Sequence, residues 1–89
     1  MTIIKIKEIA DYINNYINER ENTNYRTFPY FRYNNFHKIL SNLLNATYHK
    51  ESNLIIIYDY VIVISEDKEN DKYEIYITEK YLMEPKGPI

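Results

Sequence analysis

From Leu54 to Ser65 the chain is built almost entirely of Ile, Val, Tyr and Leu, and after a polar run it alternates again from Lys72 to Tyr81. β-Branched and aromatic residues at this density favour strands over a helix. The run Glu66-Asp67-Lys68-Glu69-Asn70-Asp71 supplies a turn, so the last third is expected to be an antiparallel β-hairpin. A turn centred on Lys68 and Glu69 sets Ile64, Ile62 and Tyr60 opposite Tyr73, Ile75 and Ile77. That shared face is expected to pack on helices.

The first hairpin strand then carries a surplus. Ile55, Ile57, Val61 and Val63 fall on the face opposite the expected core, and a contiguous exposed apolar stripe marks an interaction site. Three arrangements would relieve it: a helix over the second face, a kink near Tyr58-Asp59, or a second copy of the chain completing the sheet as a homodimer.

Two segments upstream have helical periodicity. Ile6, Ile9, Ile13, Tyr16 and Ile17 form one stripe within residues 3–20, with Lys7, Asp11, Asn14, Asn15 and Asn18 opposite. The run Glu21-Asn22-Thr23-Asn24 is expected to end that helix, because Asn tolerates the left-handed conformation of a helix C-terminus. An alternative reading makes Thr2 to Lys7 a short strand. Phe36, Ile39, Leu40, Leu43 and Leu44 predict a second helix, starting near Pro29 or at Asn34 and fading by Tyr48. The expected fold is therefore α+β, with two helices on one face of a C-terminal hairpin. Residues 1–83 form a single domain, and residues 84–89 form a tail with no reason to be ordered.

A chain of 89 residues with 45% hydrophobic content supplies one core and not two. It has no Cys, which removes disulfides and thiolate chemistry. The single Gly, Gly87, lies at the far end, so there is no Gly-rich phosphate loop. Two His without carboxylates at ligand spacing predict no metal site, and no cofactor is expected. A His37–His49 acid–base pair is the one catalytic arrangement on offer, and the reading favours a protein that is not an enzyme. The N-terminus lacks the apolar run of a signal peptide, and Leu54 to Ile64 is too short to span a bilayer. No membrane association is expected, and the location is read as cytoplasmic.

Charge is segregated along the chain. Asn22 to Lys50 contains no acidic residue but carries Arg26, Arg32, Lys38 and Lys50, whereas Glu51 onward has 9 acidic residues against 4 Lys. Two functional readings follow. In the first, the acidic turn and the apolar stripe bind a protein partner through Ile55, Ile57, Val61, Val63, Glu66, Asp67, Glu69, Asp71 and Glu74. Roughly half of the chain is Ile, Asn, Tyr and Lys, residues whose AT-rich codons point to a low-GC bacterium, a phage or an archaeal virus. With the acidic charge and surplus apolar surface this suggests a virus, phage or mobile-element factor that inhibits a host protein from within the host cytoplasm. In the second, the basic aromatic segment 25–38 binds single-stranded nucleic acid through Tyr25, Arg26, Tyr30, Arg32, Tyr33, His37 and Lys38, with cations for phosphates and rings for bases. Helix, helix and hairpin also outline a winged helix, but a wing tip with four carboxylates would be repelled by duplex phosphates. The sequence favours the first reading.

Overall fold

Apolar spacing dictates both helices. The computed structural model describes residues 2–80. Helix α1 spans Thr2–Ile17 and fully buries Ile6, Ile9 and Ile13, while Ile4 stays exposed. The Ile6, Ile9, Ile13 repeat outweighs the short Ile/Lys alternation, so the alternative N-terminal strand does not form. Helix α1 stops earlier than expected, at Ile17, and the chain turns away at Glu19, whose φ is 64°. The Glu19 N–H donates to the Tyr16 carbonyl at 3.0 Å and the Arg20 N–H to the Asn15 carbonyl at 2.7 Å, closing the last turn. The asparagines expected to end it are needed elsewhere. Asn24 accepts from the Ile77 N–H at 2.8 Å, and its side chain donates to the Ile77 carbonyl at 3.1 Å.

Helix α2 spans Phe36–Leu44, shorter than predicted at both ends. Asn35 and Asn45, both in the left-handed region, bracket it. Among the described residues no helix is long and apolar enough to cross a membrane.

Five strands form one antiparallel sheet: β1 (Tyr25–Pro29), β2 (Thr47–His49), β3 (Leu54–Ile57), β4 (Tyr60–Asp67) and β5 (Lys72–Glu79). Their order is β1-β5-β4-β3-β2. Strands β2 to β5 therefore form a meander, β1 adds to its far side, and α2 connects the two edge strands. One sheet face carries Phe28, Ile55, Ile57, Ile62, Ile64, Tyr73, Ile75 and Ile77, which merge with the buried residues of both helices into a single core. Each fully buried Ile contributes about 1.5–3 kcal/mol of transfer free energy.

The fold is α+β as expected, with helices on one sheet face, but the sheet is larger than a hairpin. The expected first hairpin strand is two strands. Tyr58 and Asp59 form a two-residue turn between Ile57 and its partner Tyr60. Tyr58 takes φ 53°, a value that Gly or Asn occupies more readily, and its side chain is 81% exposed. The Asp59 carbonyl accepts from the Lys80 N–H at 2.6 Å, which ties the turn to the end of β5.

This turn corrects the assignment of the apolar stripe. Reversing the chain puts Ile55 and Ile57 on the helix side, at 0% and 7% exposure, while Val61 and Val63 face away from the helices. The predicted pairing of β4 with β5 is also displaced by two residues. Ile62 pairs with Ile77 and Ile64 with Ile75, because β4 continues to Asp67 and the turn occupies only residues 68–71. An even shift leaves the inward face unchanged. The terminal tail, residues 84–89, lies outside the described residues.

Candidate functional site

The chain leaves β1 at Pro29 and crosses to α2 through an irregular segment whose rings anchor it. Phe31 and Phe36 are buried, and the Tyr73 hydroxyl donates to the Phe31 carbonyl at 2.6 Å. Burial, with Glu66 and Tyr30 adding to it, pushes the Tyr73 hydroxyl up to about 12, so it remains a donor at neutral pH. Around this anchor opens a cleft of about 610 Å³. Residues from the 30–35 segment, the first turn of α2, β2 and its following Lys50, β4 and β5 line it.

Rings form a continuous strip along the cleft. Tyr30 lies 5.1 Å from Tyr73, Tyr73 stacks on Phe36 at 4.6 Å, Phe36 meets His37 edge-on at 5.3 Å, and His37 stacks on Tyr48 at 5.3 Å. Phe36 and Tyr73 are buried, whereas Tyr30, His37 and Tyr48 are half-buried and Tyr33 is exposed. Strands and helix thus hold a ring surface in place before any ligand arrives.

Cations line the same cleft. Arg32, Lys38 and Lys50 line it together with one carboxylate, Glu66. Among the described residues none of the four takes part in an ion pair, the pair present being Lys72–Glu74 at 3.4 Å. The start of α2 adds to the positive character. Asn35 makes no side-chain cap and the first turn holds no carboxylate, so the partial positive charge of the helix end is not neutralised there. Burial holds His37 below its ordinary value, with Glu66 opposing the shift. Its Nε2 is buried and makes no hydrogen bond among the described residues.

Of the residues proposed for nucleic acid, the cleft gathers Tyr30, Arg32, Tyr33, His37 and Lys38. Tyr25 and Arg26 lie apart. Arg26 packs over the rings of Phe28 at 4.8 Å and Tyr12 at 5.5 Å, so its charge is turned onto its own core. Tyr25 pairs with Tyr76 and shares with it the sheet face away from the helices. The sequence reading did not assign Tyr48, Lys50 or Tyr73 to this site. Tyr48 and Lys50 were obscured because the segment looked like a fading helix rather than the short edge strand β2.

The residues proposed for a protein partner are dispersed. Ile55 and Ile57 are core, and Glu66 lines the cleft. Val61, Val63, Asp67 and Glu74 alternate onto the sheet face away from α1 and α2, where Val61 is buried and Glu74 pairs with Lys72. Glu69 and Asp71 remain in the turn, and Asp67 is engaged there, accepting from the Asn70 backbone at 3.2 Å and its side chain at 2.8 Å. Those bonds hold the Asp67 carboxyl below its usual range. His37 and His49 are also separated, because Tyr48 faces the helices and its neighbour His49 faces away. No group of three His, Asp or Glu among the described residues comes together to hold a metal ion.

Comparison with protein-family models, with curated proteins and with solved structures finds no match to this chain.

Proposed function

We propose that this chain binds single-stranded nucleic acid in the cleft at the start of α2. A backbone phosphate sits among Arg32, Lys38 and Lys50, and a base stacks on the half-buried rings beside them. The observation that carries this reading is the convergence of three cations, in no ion pair among the described residues, and a continuous ring strip in one cleft, in a protein whose net charge is -2. A general electrostatic attraction to polyanions is absent at that charge, so binding depends on the local arrangement. A titration of labelled oligothymidylate against protein tests it. Binding is expected at low salt and weakens as salt rises. Absence of binding at low salt removes the reading.

A second reading, a protein-binding module, draws on the sheet face away from α1 and α2. Tyr25 and Tyr76 are 42% and 44% exposed there, and aromatic side chains anchor protein interfaces. Half-buried Val63 adjoins them in register, and Glu69 and Asp71 lie in the turn beyond. A second copy of this chain is one occupant of such a face, and a host protein is another. Sedimentation across a concentration series separates a homodimer from a monomer. A viral or mobile-element origin rests on composition alone.

A further inference from the structure

Glu66 is the one carboxylate among the residues lining the cleft. It opposes the binding of a phosphate, yet it makes no ion pair or hydrogen bond among the described residues. An ionised carboxylate offers two coplanar acceptors and no donor. It sits directly across from Tyr73, whose ring lies 5.1 Å from that of half-buried Tyr30. The acceptor pair therefore borders the ring strip on which a base would stack.

Accepting the single-strand reading above, on which this inference rests, we propose that Glu66 makes the cleft selective for guanine. The Watson–Crick edge of guanine presents N1–H and an N2 amino hydrogen side by side, two parallel donors matched to two carboxylate oxygens. Adenine and cytosine each place an acceptor beside their donor. Thymine and uracil flank a single donor with two carbonyl oxygens. Guanine alone can donate to both oxygens without an opposed acceptor. A second role for Glu66, as a simple neutraliser of the neighbouring cations, makes a different prediction: its removal tightens binding of every base equally.

Fluorescence-polarisation titrations of oligothymidylate carrying one central guanine, adenine or cytosine, beside the unsubstituted strand, test the proposal. The guanine strand is expected to bind about tenfold more tightly than the others, within the range of a good bidentate contact. In Glu66→Gln, whose amide mixes donor and acceptor, that ratio falls towards one while the unsubstituted strand binds at least as well as before. Glu66→Asp, which keeps the acceptor pair on a shorter stem, retains part of the ratio. Glu66 is exposed, and thermal melts matching the parent protein verify that the variants fold. Equal binding of all four strands, or a guanine preference that survives Glu66→Gln, overturns the assignment of guanine selectivity to Glu66 and leaves single-strand binding standing. Failure of every strand to bind at low salt overturns both.

Discussion

The cleft at the start of α2 and the acidic turn after β4 are both concentrations of charge, but they are assembled in different ways. The cleft draws Arg32, Lys38, Lys50 and Glu66 from separate parts of the chain onto one ring-lined surface. The turn is a cluster in sequence that does not become one surface. Alternation along β4 sends Glu66 towards the helices and Asp67 away from them, and Asp67 is occupied by Asn70. Proximity in sequence is a poor guide to a shared surface on a strand, because successive side chains point to opposite faces.

The largest expected contrast is between the two sheet faces. Ile77→Ala, on the helix side, should lower stability by about 2–5 kcal/mol, as large-to-small changes in packed cores do. Val63→Ala, half-buried on the face away from α1 and α2, should cost about 1 kcal/mol or less. Urea denaturation of both variants measures the difference. Equal losses would mean that the opposite face is as tightly packed as the core.

Next in size is the effect on binding. Removing Arg32 and Lys50 together should weaken oligothymidylate binding by about tenfold or more at low salt and make its salt dependence shallower. Glu69→Gln in the turn should leave both unchanged. A larger effect from the turn variant than from the double variant would reverse the assignment of the two regions.

Much of this fold was legible in the sequence. The stripe through Ile6, Ile9 and Ile13 defines α1, and the alternation from Lys72 defines β5. The β3–β4 turn was legible only as one alternative, a kink near Tyr58-Asp59, since Asp59 is the one polar residue in an otherwise apolar run and Tyr58 adopts a conformation it does not prefer. Missing that turn misplaced Ile55 and Ile57. Strand β1 was hidden by its length and by Pro29, which an edge strand tolerates and a central strand does not. As for the site, its basic and aromatic composition was visible in residues 25–38. The contributions of Tyr48, Lys50 and Tyr73 depend on the sheet, which brings β2, β4 and β5 to the start of α2.

Acid should weaken the cleft side of the molecule. Burial keeps the folded-state value of His37 below the ordinary 6.5, so the unfolded chain binds the proton more readily. Its contribution to stability is present above about pH 6.5 and is lost as pH falls below that value towards the folded one. Thermal melts across this range should show His37→Phe, which keeps a ring against Tyr48, losing less stability on acidification than the parent. Identical pH profiles would contradict the burial of a neutral imidazole.

The smallest effect concerns the turn that separates the two faces. Tyr58→Gly should raise stability by about 1 kcal/mol through relief of the left-handed backbone, since the ring is exposed and little packing is lost. A loss of stability in the melt would show that the Tyr58 ring contributes more than its exposure suggests.

Amide chemical-shift mapping with oligothymidylate tests the central claim most directly. The account predicts that shifts concentrate at His37, Lys38, Tyr48 and Lys50, with residues 68–71 unmoved. Shifts confined to the acidic turn or to the sheet face away from α1 and α2, or none at all, would contradict it.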